Sequence, residues 1–183
     1  MTESQALATM ASTPAPDPKL AELLTKELAG AVPSGSFTLG ETKTDVDIAT
    51  APEHLLTLVT ALKDRKKLAF DYLRNIAGVD FEDAGMALKY HLYSFEHNYH
   101  VQVSVATSSG HPVLPTLTGL YTAADWHERE ASEMFGFQFE GHPNPKNLLL
   151  EEDLHIHPLL KAHPLQKVEI LQGIEEGDPG FKF

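Results

Sequence analysis

The sequence predicts an α+β domain: two layers, a mostly antiparallel sheet with helices on one face, and a long extended C-terminal tail. Three observations lead there. Apolar residues recur at helical spacing in separate segments, with strand-like alternation between them, in the order helix, strands, helix, hairpin, helix. Residues 86–107, "MALKYHLYSFEHNYHVQVSVAT", alternate polar and apolar on both sides of a polar turn. The last forty or so residues carry Pro158, Pro164, Pro179 and three glycines without strong periodicity, which reads as chain wrapping over a surface.

Residues 1–18 are rich in Ala, Ser, Thr and Pro, with prolines at 14, 16 and 18, and read as a flexible arm. The domain is expected over residues 19–165, and the extended tail over 166–183. In "PKLAELLTKELAG", Leu20, Leu23, Leu24 and Leu28 share a helical face, and Gly30 suits the stop. "SGSFTLGETKTDVDIAT" reads as a short hairpin whose second strand alternates around Val46 and Ile48. In "TAPEHLLTLVTALKDR", Thr50 or Ala51 caps a helix, Pro52 occupies its first turn, and Glu53 favours the positive end of the dipole. Leu55, Leu56, Leu58, Val59 and Leu62 form its apolar stripe. "LAFDYLRNIAGVDF" reads as a further helical turn, then a strand near Val79 and Phe81.

In the central hairpin, Leu88, Tyr90 and Leu92 alternate with Lys89, His91 and Tyr93. Val101, Val103 and Val105 alternate with His100, Gln102 and Ser104, and Glu96-His97-Asn98 makes the turn. "SSGHPVLPTLTGLYTAA" reads as a loop with room for one helical turn. In the helix that follows, Asp125 and Glu128 have capping-box spacing, Arg129 and Glu133 are placed to pair, and Gly136 suits the left-handed end. "FQFEGHPNP" then leaves as a proline-bounded strand or loop.

Composition narrows the function. Asp and Glu outnumber Lys and Arg by 26 to 14, a formal charge of -12, which argues against nucleic acid or an anionic membrane surface as partner. There is no cysteine, hence no disulfide, no thiolate-held iron–sulfur cluster and no cysteine nucleophile. No apolar run approaches the roughly 18–20 residues that span a bilayer. The N-terminus lacks the marks of a secretory signal or transit peptide, so a cytoplasmic protein is expected.

Ten histidines invite a metal reading, with His155-x-His157 as a pair and His142 and His163 nearby. The HExxH pattern is missing, since Ala131 stands where the second His belongs. Histidines 111, 142, 157 and 163 each precede proline and suit a loop-shaping role. No metal site is therefore expected. A carboxylate acid/base pair among Glu128, Glu130 and Glu133 is disfavoured by Arg129, which holds neighbouring carboxylates ionised. Phosphate-binding glycine loops and a GxSxG elbow are absent. Trp126, Met134, Phe135, Phe137 and Phe139, interleaved with charges, are residue types enriched at interfaces, so a binding surface is preferred to an active site.

Residues 128–149, "EREASEMFGFQFEGHPNPKNLL", closely resemble the hallmark of the 30-kDa subunit family of respiratory complex I, the proton-translocating NADH:quinone oxidoreductase. Glu128-Arg129-Glu130, Glu133, Met134-Phe135, His142-Pro143, Lys146 and Leu148-Leu149 fill the pattern. "FDYLRNIAGVDF", "YHLYSF", "VQVSV", "PTLTGLYTAADW" and "HPLLKAHPL" extend the likeness over roughly residues 40–165. The chain departs from the family at Lys146-Asn147, Leu160 and Ala162-His163, where arginines or an Arg-Asp context are usual.

The resemblance implies a non-catalytic structural subunit of the peripheral arm, on the cytoplasmic side of the bacterial inner membrane. It would pack against the large subunit lining the quinone site. Iron–sulfur clusters and FMN would belong to partner subunits, with no cofactor, metal or catalytic residue in this chain. Glu128, Arg129, Glu130 and Glu133 would form an ion-pair network at the subunit interface, with Met134, Phe135, His142, Pro143 and Lys146 beside it. The same domain type is similar to subunits of membrane-bound hydrogenases and of complexes fed by other donors.

Overall fold

The computed structural model describes residues 18–42, 45–108, 110, 112–151 and 156–163. The expected N-terminal arm, apart from Pro18, and the tail beyond 163 lie outside the described residues.

Helix α1 (Pro18–Leu28) precedes the hairpin β1 (Phe37–Glu41) and β2 (Val46–Thr50). Helix α2 (Pro52–Asp64) leads to β3 (Tyr72–Asp80), a 3-10 turn at Glu82–Ala84, and the long hairpin β4 (Met86–Ser94) and β5 (Tyr99–Thr107). A short β6 (Val113–Pro115), helix α3 (Ala124–Phe135) and β7 (Gln138–Glu140) complete the described elements. The main sheet has the order β1-β2-β5-β4-β3. Its pairings are antiparallel except β2 with β5, which is parallel. The mostly antiparallel α+β reading therefore holds.

The hairpin forms as its alternation dictates. Leu88, Tyr90 and Leu92 on β4 and Val101, Val103 and Val105 on β5 are buried, joined by Val46 and Ile48 of β2. Against this face lie Leu20, Leu24 and Leu28 of α1 and Leu55, Leu58, Val59 and Leu62 of α2, in one apolar cluster. The four α2 side chains are fully buried, each stabilising the fold by about 1.5–3 kcal/mol relative to exposure. Ala124 and Ala131 bring α3 onto the same cluster. Gly78 pairs with Leu88 on that side, and a Cβ there would come 2.5 Å from the Phe135 ring. Glycine thus lets α3 settle onto β3.

Some expectations are corrected. A single turn, closed by the Leu68 and Ala69 amides on the Arg65 carbonyl, precedes β3 and does not extend into a helix; the strand runs from Tyr72 to Asp80, and Phe81 lies outside it. A bulge between Leu73 and Asn75 shifts the register, so Leu73 and Ile76 both face the core although three residues apart. That spacing imitates a helix. The loop before α3 contains β6, which pairs in parallel with β7 through three residues and is too short to show a period. Of the two expected caps of α2, Ala51 holds the N-cap position, without a side-chain bond, and the Thr50 hydroxyl instead donates to the Ser36 carbonyl at 2.7 Å.

Candidate functional site

Helix α3 carries the charged motif, and its two buried carboxylates face different surroundings. Ala123, not Asp125, is the N-cap, with no side-chain capping bond, so the capping box does not form. Glu128 instead turns inward and is fully buried. Its Oε1 accepts the Leu117 amide at 2.7 Å, and its Oε2 accepts the Thr116 hydroxyl. His142 lies alongside, with Nε2 3.2 Å from the Asp125 carbonyl oxygen, 3.4 Å from Asp125 Oδ1 and 3.9 Å from Glu128 Oε2. Its Nδ1 accepts the Asn144 amide at 3.1 Å, which leaves Nε2 to donate toward the Asp125 carbonyl. Burial pushes the Glu128 carboxyl up. The Thr116 and Leu117 hydrogen bonds and His142 oppose that without reversing it.

Glu133, a little over one turn further on, does the opposite. Its carboxylate collects three consecutive backbone amides: Leu148 at 2.6 Å, Leu149 at 3.0 Å and Leu150. Burial raises its pKa, but these amides and Arg129 outweigh that, and the net shift is downward. Arg129 lies between the two carboxylates and grips the preceding peptides. Nε donates to the Lys146 carbonyl and Nη2 to the Asn147 carbonyl, both at 2.7 Å. Its guanidinium also sits 5.6 Å over the Trp126 ring.

The expected Arg129–Glu133 pair and the wider ion-pair network do not form among the described residues. The segment after β7 presents carbonyls at 146 and 147 and then amides at 148 to 150. A cation and an anion one turn apart on α3 read that reversal of backbone polarity. Each is better satisfied by peptide groups than by the other.

This segment, a strap of residues 146–151 and 156–161, has further anchors. His157 Nδ1 donates to the Glu133 carbonyl at 2.8 Å, and its ring packs on Gly136, which ends α3 at φ +83. A Cβ at 136 would lie 2.9 Å from that ring. The Leu159 amide bonds the Met134 carbonyl at 3.1 Å, and the Lys161 amide bonds Asp80 Oδ2 at 2.9 Å. Phe135 packs on Gly78. Pro143 and Lys146 are exposed, and Glu130 is exposed with no hydrogen bond or ion pair among the described residues.

The anchors at His157 and Asp80 escaped sequence reasoning. The one signal for the first was a glycine at a helix end, and none pointed to the second. Of the histidines weighed as ligands, His155 lies outside the described residues and His157 is committed to a carbonyl. No group of three or more His, Asp or Glu side chains among the described residues could hold a metal ion. The arrangement can clamp a polypeptide. The carboxylates of Glu128 and Glu133 already have partners.

Residues 48–169 match the family described as respiratory-chain NADH dehydrogenase, 30 Kd subunit. A NADH-quinone oxidoreductase subunit from Roseiflexus sp. (strain RS-1) is 34% identical over 138 residues, covering 74% of this chain and 79% of that protein. Its namesake in Azorhizobium caulinodans is 33% identical over 144 residues, covering 78% and 66%. Two solved structures share the fold. The trypsin-resistant fragment of Nqo5 has a TM-score of 0.55 at 24% identity, covering 69% of this chain and 98% of the fragment. A chain of the membrane-bound sulfane sulfur reductase, an archaeal respiratory membrane complex, has a TM-score of 0.69 at 19% identity, covering 90% and 96%.

Proposed function

The chain belongs to the respiratory-chain NADH dehydrogenase 30-kDa subunit family, and on that premise we propose that it is a structural subunit of an NADH:quinone oxidoreductase with no active site of its own. The observation that carries this reading is the clamp. Arg129 and Glu133 hold backbone carbonyls and amides on five successive residues of the strap, so the motif's strongest charges shape a surface and are not free to act on a substrate. On and beside the strap, Trp126 is 60% exposed, Leu149 66%, Ile156 49% and Leu159 55%. Large apolar side chains presented this way suit a protein partner.

The partner is the large subunit that lines the quinone site, within the peripheral arm on the cytoplasmic side of the membrane. Flavin and iron–sulfur clusters reside in other subunits, in keeping with a chain that has no cysteine. Electrons pass through those neighbours, and this chain keeps them in position. No helix among the described residues is long and apolar enough to cross a membrane, so attachment runs through the complex.

Arg129→Ala tests the clamp's role. It leaves two carbonyls without their charged donor, and recovery of partner subunits with the tagged chain from mild-detergent extracts falls severalfold. Full subunit stoichiometry with lost quinone reduction would instead place Arg129 in the chemistry. The same pull-down names the complex. Flavin- and nicotinamide-binding subunits support the proposal, whereas a hydrogenase or another donor module keeps the structural role and moves the chain to a sister complex.

A further inference from the structure

The sheet has a second face, turned away from the helices. Tyr72, Tyr93 and His100 lie opposite one another across β3, β4 and β5 on that outer side. Phe95, at the hairpin tip, joins them, its ring centroid 5.3 Å from Tyr72 and 4.9 Å from Tyr93. Phe95 is 64% exposed and Tyr72 45%. Arg74, set apart by the β3 bulge, reaches across to His100 with Nη1 3.1 Å from Nδ1. Further along the same face of β4 come His91 and then Lys89, which lies opposite Ser104.

The charge of this half-face runs against that of the chain. β4 has no Asp or Glu, and β3 has only Asp80, which is bound by the Lys161 and Glu82 amides. The acids around it are Asp45 and Asp47 on the β2 side, and Asp71 and Glu96 at the rim. Asp47 accepts from Gln102 and Ser104, and Asp71 accepts the Phe95 amide. Arg74 and Lys89 form no salt bridge among the described residues. Exposed aromatic rings with Arg74 beside them and Lys89 further along the face, neither cation in a salt bridge among the described residues, in a protein of net charge -12, form a local site for an anionic partner.

We propose that this outer β3–β4 face is a second docking surface, taking an acidic segment of a neighbouring subunit that lays an apolar side chain on the Tyr72–Phe95 pair. The proposal rests on the reading of the chain as a subunit of a complex. A second copy related by a two-fold would set Arg74 and Lys89 against themselves. A polynucleotide would meet the repulsion of the whole chain.

The test replaces Phe95 with p-benzoylphenylalanine in the tagged full chain, in cells that assemble the complex, with the same probe at Leu149 as reference. Both positions are exposed, so the fold tolerates them. After irradiation, the Phe95 probe is expected to join another subunit within an Asp/Glu-rich peptide. Arg74→Glu with Lys89→Glu should lower that yield about tenfold while leaving the Leu149 product unchanged. Cross-linking from Leu149 but not from Phe95 overturns the docking surface and leaves the structural role standing. A product from Phe95 with a second copy, a nucleic acid or a segment without acids also overturns it. A chain that purifies alone, with neither probe productive, overturns both readings.

Discussion

Glu128 and Glu133 occupy the same helix, are both buried, and respond to burial in opposite directions. Glu128 sits among a threonine hydroxyl, one amide and the His142 ring, and burial pushes its carboxyl up. Glu133 faces three amides in a row beside Arg129, and its carboxyl is held down. Burial alone therefore says little about a carboxylate's role. The number and polarity of the groups aimed at it decide whether the charged form is tolerated or required. Glu133 acts as a charge that organises backbone, whereas Glu128 acts as a polar plug between the β6 loop and α3.

The largest effect expected from this contrast is at Glu133. Glu133→Ala leaves three amides facing a void and frees the strap, costing about 3 kcal/mol. For a chain of this length, that lowers the Tm of the purified full chain by about 6–12 °C. Glu133→Gln keeps one acceptor but turns a donor toward the amides, and about 2 kcal/mol is expected. A drop below 1 °C for either variant would mean that the strap is held without the carboxylate.

Neutralising Glu128 should do less. In Glu128→Gln the amide oxygen still accepts from Leu117 and the NH2 can donate to Thr116, so a loss within about 1 kcal/mol is expected near pH 7. The two carboxylates also differ in their dependence on pH. Because the folded pKa of Glu128 is raised, its contribution is fully present below the unfolded glutamate pKa and is lost as pH rises through the folded value. For Glu133, with its pKa lowered, the contribution is present above the unfolded value and lost as pH falls through the folded one. Melting curves between about pH 3 and 8 should show Glu128→Gln gaining on the parent as pH rises, and Glu133→Gln catching up as pH falls. Parallel curves would remove the distinction between the sites.

How far this was legible in the sequence follows from which groups carry letters. The β4–β5 hairpin was readable because period-two alternation marks its buried face. β3 was not, because the bulge at Arg74 places Leu73 and Ile76 at a helix-like spacing. The motif's charges could be read as structural, yet their partners were misassigned to one another. Arg129 and Glu133 bind peptide carbonyls and amides, which every residue has and no letter reports. Helix spacing alone suggested an ion pair that tertiary structure replaces. The His157 and Asp80 anchors join positions distant in sequence and had no local pattern to reveal them.

The smallest effect on stability, and the sharpest on the contrast, concerns Glu130. Among the motif's carboxylates it is the one that faces solvent and makes no bond among the described residues. Its neighbours Arg129 and Glu133 act within the chain, so a motif role for Glu130 requires something outside it. Glu130→Ala should change the unfolding free energy by less than about 0.5 kcal/mol. If α3 faces a partner on this side, the same variant lowers recovery of partner subunits from detergent extracts, most visibly at high salt, where a bond already weakened by screening has no second contact to replace it. A stable variant that assembles normally at every salt concentration would confine the motif's work to the clamp and leave the strap's apolar side chains to hold the complex.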